Sequence, residues 1–498
     1  MDDVPDPLPL DLLPLDLLIV GGGINGAAIA REAALNGWRA MLVERGDLAG
    51  ETSSRSSGLI HGGLRYLEQY DFRLVAEALA ERERLVAAAP HLIRPMRFVI
   101  PHVNAVRPWW LVRTGLVLYD LIGGKRTLAR SRGLRKGDAA YLAPLGGSPK
   151  GFVYSDAQVD DARLVVLNAM DAQANGATIA TQTALVGAER VGDGWRATLS
   201  DGRVVAARAL VNAAGPWVAE LLARVGVRTA QRVRLVKGSH IVVPRLYEGD
   251  HAYLLQQPDR RIVFVLPWEG RTAIGTTDVP VESAEAPAIE AAEVDYLCGA
   301  VSAAFARPVA PSDVVASWSG VRALFDDGAG SAQAVSRDYR LELESDGPPV
   351  LSVFGGKITT ARHLAEEAVA SLAPALGMRA RRVTRDRAFP GGGTGDPEAY
   401  AAAVLKRWPF LGAPRAARMV RAYGTMLAGL LDGVGDAAGM GRAFGGGLTE
   451  VEARWMHDRE WARAPEDVLE RRSKLRLAMT AKERAVFAEW WMGTFPDA

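Results

Sequence analysis

Gly21, Gly23 and Gly26 stand at the spacing G-x-G-x-x-G, after the apolar run Leu15 to Val20 and at the head of the alanine-rich run Gly26 to Asn36. Glycines so placed do three jobs: Gly21 permits a tight turn, Gly23 lets backbone N–H groups approach a pyrophosphate, and Gly26 lets helix and strand close on each other. The helix that opens there turns the positive end of its dipole to the phosphates. A lone glycine fingerprint is often only a turn. Here Ala30 follows on the packing face of the helix, Gly37 at the return turn, and Glu44 at the end of a second strand, Ala40 to Glu44. Glu44 can accept from the ribose hydroxyls of an adenosine, and its charge disfavours a 2′-phosphate, which leaves NAD or FAD.

Two later segments favour FAD. Leu210 to Trp217 is a strand that ends in Ala213, Ala214 and Gly215, small residues that let the chain return beside a dinucleotide. Leu351 to Thr360 is a strand that breaks at Gly355 and Gly356 into a helix, whose N-terminal dipole can face the N1/C2=O edge of a flavin and stabilise its reduced, anionic form. Either segment taken singly is a packed strand and turn; their order after the first fingerprint gives them meaning.

The elements that must position these residues are legible in outline. Strand, helix and strand from Leu15 to Glu44 predict parallel pairing with a right-handed crossover. From Thr178 the chain reads as a meander, Thr178 to Ala184, Trp195 to Leu199 and Val204 to Asn212, with Gly-Asp-Gly and Asp-Gly turns. Further strands at Arg234 to Val243, Arg261 to Leu266 and Thr272 to Thr276 predict a second, mostly antiparallel region. Gly391 to Pro397 reads as a linker, and the Ala- and Arg-rich remainder as a helical domain. Composition excludes much else. Lys+Arg number 59 against Asp+Glu 58, so no global charge marks a nucleic-acid binder. The single cysteine, Cys298, excludes a disulfide framework and a multi-thiolate metal site and points to the cytoplasm, with no metal expected. The acid- and proline-broken N-terminus does not read as an export signal, and no run of about 18 apolar residues crosses a bilayer.

The stretch 52–68, Thr-Ser-Ser-Arg-Ser-Ser-Gly-Leu-Ile-His-Gly-Gly-Leu-Arg-Tyr-Leu-Glu, joins five further motifs: Lys237-Gly238-Ser239-His240, Gly275-Thr276-Thr277-Asp278, Ser319-Gly320-Val321-Arg322, Ser336-Arg337-Asp338-Tyr339 and Phe354-Gly355-Gly356-Lys357. Together they closely resemble the FAD-dependent, aerobic glycerol-3-phosphate dehydrogenases, from about Leu17 into the C-terminal helices. The resemblance implies an α/β fold: a Rossmann-like FAD-binding domain of the glycine-oxidase-like group, an antiparallel-sheet substrate domain and a C-terminal helical domain. The expected parts are 15–90, 151–228 and 346–390 for FAD, 91–150 and 229–345 for substrate, and 391–498 for the helices. It also implies oxidation of sn-glycerol 3-phosphate to dihydroxyacetone phosphate, with electrons passed to a membrane quinone. Besides Gly21, Gly23, Gly26 and Glu44, the FAD contacts it implies are Thr52, Ser53, Ser54, Ser57 and Leu59, then His61 and Gly62. Ala184, Ala214, Gly215 and Trp217 follow, and the last set is Gly356, Lys357, Ile358 and Thr359. Two positions depart from the pattern: Gly58 stands where many members carry lysine, a role Arg55 is near enough to assume, and Ala323 stands where proline is common.

Oxidising a secondary alcohol with a flavin needs a phosphate anchor and a base. Arginine suits the anchor through its planar fork, and Arg322 and Arg337 sit in the matched motifs, with Arg65 and Tyr66 beside the flavin loop. His240 is the candidate base, because a near-neutral imidazole takes a proton at working pH, although a histidine in a strand is ordinarily a core residue. Lys357 can stabilise developing negative charge. His61 reads as positioning the cofactor, and Asp278 as either a turn acid or an orienting partner. Arg94 to Lys136 holds ten Lys/Arg and one acid, Asp120, interleaved with Trp109, Trp110 and aliphatic residues. That composition suits peripheral attachment to the inner face of an anionic membrane, with Trp490-Trp491 a competing surface and simple packing the bland alternative. An oxidase using oxygen, and a flavin-binding membrane scaffold without catalysis, are the other readings. The sequence leaves open whether the chain forms a homodimer.

Overall fold

The computed structural model describes residues 14–103, 107–124, 127–147, 150–325 and 338–496. Leu15–Val20, with Leu17, Leu18 and Ile19 fully buried, is a central strand because it is apolar on both faces. It pairs in parallel with Ala40–Val43 on one side and Val204–Asn212 on the other, Ile19 lying opposite Leu42 and Val211. Val350–Phe354 extends the sheet in parallel beside Val204–Asn212, and Thr178–Ala180 extends it beyond Ala40–Val43. Helices Ile24–Leu35, Asp161–Ala174 and Ala361–Ala375 share one core with this sheet. Ala27, Ala30 and Ala33 are fully buried in it, short side chains that let the helices close.

The second sheet is built on Val233–Val243, which pairs antiparallel with Ala316–Phe325, Arg271–Gly275 and Val279–Pro280. It continues through Ile262–Trp268, Ala252–Gln256, Ile93–Pro101 and Gly151–Val159 to Leu59–Ile60. Here the boundaries read from sequence need correction. Gly151–Val159 lies in this second sheet, antiparallel to Ile93–Pro101, and so does Leu59–Ile60. Both sit on the FAD side of the expected division, because their pairing partners are distant in sequence and local patterning carries no trace of them.

The C-terminal helices, among them Ala413–Tyr423, Glu450–Glu460 and Ala481–Thr494, enclose their own core around Met419, Met456, Phe487 and Trp491. Gly391–Pro397 is not a free tether: the Thr425 N–H donates to the Gly391 carbonyl (3.1 Å), and just before it the Phe389 N–H donates to that of Ala88 (2.9 Å). Buried ion pairs lock the helical region to the rest, Arg163 to Glu460 (2.9 Å) and Arg472 to Asp47 (2.6 Å). Helix Trp109–Ile122 buries Val112, Leu116 and Tyr119, yet leaves Trp110 at 67% and Leu121 at 64% exposure. Trp491 by contrast is 1% exposed, which makes the second tryptophan pair a packing feature.

Candidate active site

A cavity of about 480 Å³ runs from the ends of the parallel strands to the face of the second sheet. At its first end, Gly21 to Gly26 form a tight cradle. A β-carbon at Gly26 would stand 1.9 Å from the Gly21 carbonyl oxygen, so nothing larger than glycine lets the helix start this close to the turn. The helix N-terminus is reached by the Ser53 hydroxyl, which accepts from the Ile24 N–H (3.0 Å). Glu44 accepts from the N–H groups of Gly22 (2.6 Å) and Gly46 (2.8 Å), and burial raises its pKa above the usual carboxylate range. Trp217 closes this region under the Arg45 guanidinium (4.1 Å), its indole N–H donating to Glu285 (2.7 Å).

The opposite end is made by strand alternation. Residues two apart on paired strands share a face, so His240 and Gly238 lie opposite Trp318 and Gly320, with Arg322 next in the same row. Lys237 and Ser239, which alternate with them, are turned to Glu293 on the other side. The glycines make room: a β-carbon at Gly275 would fall 2.1 Å from the His240 ring, and one at Gly238 2.2 Å from Arg322 Nη2. Arg322 is held by Asp278 (2.9 Å) and donates to the Thr277 carbonyl (2.8 Å). That settles the open reading of Asp278 in favour of an orienting partner. His240 is 2% exposed, stacked on Trp318 at 4.8 Å, with Nε2 2.8 Å from Ser57 Oγ. Burial, and then the charge of Arg322, lower its pKa to about 3. The premise of a near-neutral imidazole is therefore corrected: His240 is held uncharged throughout the physiological range.

Between the two ends runs the loop 52–63. Thr52 donates to the Val321 carbonyl (2.6 Å), Ser56 to Asp161 Oδ2 (2.6 Å), and the His61 N–H to Thr359 (3.3 Å). Lys357 comes from the turn after Val350–Phe354 and lies over the Tyr66 ring at 4.1 Å. Its ammonium is buried and has no hydrogen-bond partner among the described residues.

Residues 16–362 match the model of the family described as FAD dependent oxidoreductase. The chain belongs to this family. It is an oxidoreductase, and FAD is its cofactor. The chain is 48% identical over 488 residues to D-erythritol 1-phosphate dehydrogenase of Brucella abortus, covering 96% of this chain and 97% of that protein. It is 46% identical over 492 residues to glycerol-3-phosphate dehydrogenase of Pseudomonas aeruginosa (97% and 96%), which bears out the resemblance read from the motifs. Among solved structures it superposes on the glycerol-3-phosphate dehydrogenase of Bacillus halodurans in complex with FAD, at a TM-score of 0.75, 25% identity and coverage of 97% and 91%. Glycine oxidase of Geobacillus kaustophilus, at a TM-score of 0.54 and 21% identity over 74% of this chain and 96% of that one, shares the fold.

The cavity fits FAD on its own terms: a side-chain-free cradle at a helix N-terminus, a carboxylate at one end, and at the other an ammonium with no hydrogen-bond partner among the described residues. Of the expected contacts, Gly21, Gly23, Glu44, Thr52, Ser53, Ser57, Leu59 and His61 line it, as do Ala184, Ala214, Gly215, Trp217 and the whole run Gly356 to Thr359. Three expected contacts are not on the lining. Ser54 turns back to the Glu51 carbonyl, Gly62 donates to Tyr119 (2.7 Å), and Gly26 serves packing. Tyr66 lines the cavity; the Arg65 side chain and Arg337 lie outside the described residues. Gly58 has φ +62°, and a β-carbon there would meet the Val159 carbonyl oxygen at 2.7 Å, so the backbone itself requires glycine. Arg55 lines the cavity but donates to the Ser319 carbonyl (3.2 Å). Sequence reasoning missed Asn25, which donates to the Gly355 carbonyl (3.2 Å) and bridges the two ends of the FAD cradle; it occupies a variable position of the fingerprint, where residue type gives no signal. It also missed Ser56 and Trp318.

Proposed function

We propose that the protein oxidises the secondary hydroxyl of a small polyol phosphate, converting sn-glycerol 3-phosphate to dihydroxyacetone phosphate, and passes the electrons to a membrane quinone. The observation that carries this reading is that Lys357, a buried ammonium without a hydrogen-bond partner among the described residues, and Arg322, a guanidinium fixed by Asp278, line the same cavity as His240. Two cations beside an apolar stack suit a phosphate dianion next to a short carbon chain. FAD, when bound, supplies the hydride acceptor. Arg322 and Lys357 anchor and orient the substrate, Arg322 through its fork and Lys357 as a point charge. Ser57 Oγ accepts from the substrate hydroxyl and relays its proton to His240 Nε2. A dianion beside Arg322 offsets one of the two causes that depress the His240 pKa, so the imidazole becomes a better base once substrate is in place.

A second reading has its own support, since the relative at 48% identity is named for D-erythritol 1-phosphate. That substrate keeps the phosphate and the neighbouring secondary alcohol and adds one hydroxylated carbon. Steady-state kcat/KM for the two phosphates, measured with a soluble quinone analogue, separates the readings; a higher value for D-erythritol 1-phosphate overturns the first. Peroxide formed in step with turnover in air would make the protein an oxidase instead.

For the membrane, the apolar face of Trp109–Ile122 supports shallow insertion. No helix among the described residues is long and apolar enough to cross a bilayer. Several cations of the basic stretch are used internally: Arg97 donates to Ser155 (2.6 Å), Arg113 to Ser131 (3.2 Å), and Arg132 pairs with Asp138 (2.6 Å). Attachment therefore rests on Trp110, Leu111 and Leu121 more than on charge.

A further inference from the structure

The C-terminal region reaches the FAD cradle through one short segment. Arg471 and Arg472 both pair with Asp47, three residues after Glu44, and Lys474 reaches the two carboxylates behind the loop 52–63. Its ammonium lies 2.8 Å from Asp161 Oδ1 and 3.1 Å from Asp160 Oδ1. Asp161 is fully buried, and all its directions are used: Oδ1 also accepts from the Ala162 N–H (2.9 Å), while Oδ2 accepts from the Ser56 hydroxyl (2.6 Å) and the Ser56 N–H (3.2 Å). Ser56 lines the cavity, its Oγ accepts from the Gly58 N–H (2.9 Å), and its neighbour Ser57 is bonded to His240. Lys474 itself sits in left-handed backbone (φ +54°), a conformation few lysines adopt.

We infer that Lys474 is a positioning residue for the reacting end of the site: by pinning Asp161 it fixes Ser56, and through Ser56 the placement of Ser57 against His240. The inference rests on the reading of the cavity as an FAD site for polyol phosphate oxidation. Its physical basis is the juxtaposition of two adjacent carboxylates, Asp160 and Asp161, sharing one buried cation. Without Lys474, no ion-pair partner of Asp161 remains among the described residues, and a carboxylate so buried must turn toward water, which releases Ser56. The residues that bind FAD lie within the family match, 16–362, so a determinant at 474 comes from outside the cofactor-binding core.

The test uses the holoenzyme. In Lys474→Met, FAD should dissociate with a Kd about tenfold higher, read from flavin fluorescence on dilution, for the loss of a charge-assisted link behind the loop. The rate of anaerobic flavin reduction at saturating glycerol 3-phosphate should fall about 10- to 100-fold, with KM changed much less, as misplacement of reacting groups does. Lys474→Arg should restore most of both. If Lys474→Met lowers the thermal midpoint but leaves Kd and rate within about twofold of wild type, Lys474 only holds the regions together and the inference fails. Should that variant not fold, Lys474→Met/Asp161→Asn removes the charge with its partner; the same two defects support the inference, and their recovery overturns it. A wild-type flavin that no polyol phosphate reduces sinks the functional reading, while the Kd comparison still decides the role of Lys474.

Discussion

Arg163 and Lys357 are both cations withdrawn from water, and the molecule treats them in opposite ways. Arg163, at the junction with the C-terminal helices, meets Glu460 with both terminal nitrogens (2.9 Å each) and lies over the Tyr423 ring at 4.7 Å. Lys357, on the cavity wall, meets an aromatic face and, among the described residues, no carboxylate. A closed pair makes a join between regions. An ammonium left open is held ready for an anion that comes from outside, and its desolvation is offset only when that anion arrives.

The contrast is broken most severely at the join. Arg163→Met should strand Glu460 as an uncompensated buried charge and cost about 3–5 kcal/mol of stability, seen as a lower thermal midpoint. Lys357→Met should do the reverse: an unchanged or higher midpoint, with kcat/KM for the phosphorylated substrate down about 10- to 150-fold, or about 1.5–3 kcal/mol. Arg322→Ala should cost a similar amount, and Arg322→Lys should recover only part of it, because a point charge does not reproduce the fork. A Lys357→Met enzyme with normal kinetics would erase the distinction.

Acid acts next. Burial lowers the pKa of His91 and His251 to about 4 and, with Arg322, that of His240 to about 3. The unfolded chain takes up these protons near pH 6.5, roughly the ordinary histidine value, and the folded chain refuses them until the pH is far lower. The unfolded state therefore binds more protons between those limits, and stability falls as pH drops through them. Thermal midpoints measured from pH 7 downward should show this, and His91→Leu should flatten part of the slope. The smallest effect belongs to the exposed helix. Trp110→Ser with Leu121→Ser should leave stability and activity with a soluble acceptor intact but abolish cosedimentation with vesicles of mixed anionic and neutral lipid. Retention lost only in high salt, and not in this double variant, would return the weight to the basic residues.

How much of this was legible depends on distance along the chain. The cradle from Gly21 to Glu44 is local, and its glycine spacing, strand and helix were readable because each acts within a few residues of the next. His240 and Arg322 were picked out by their motifs, through the resemblance and not through any local pattern. The environment of His240 was not readable, since Trp318 and the Arg322 charge come from the strand paired opposite. Gly151–Val159 was grouped with the FAD-binding part for the same reason, and Gly391 to Pro397 read as a linker because the bonds that hold it, from Thr425 to Gly391 and from the preceding Phe389 to Ala88, leave no mark in composition. Lys474 and Asp161 are 313 positions apart, and nothing in either neighbourhood announces the other.

In the proposed function, this cavity holds FAD and delivers to it a hydride from a polyol phosphate bound by Lys357 and Arg322. Anaerobic mixing of the yellow holoenzyme with sn-glycerol 3-phosphate, D-erythritol 1-phosphate or unphosphorylated glycerol, followed by flavin absorbance, tests it directly. Bleaching by at least one phosphate is expected, with none by glycerol at the same concentration and markedly slower bleaching in Lys357→Met. No bleaching by either phosphate, or equal bleaching by glycerol, would contradict it.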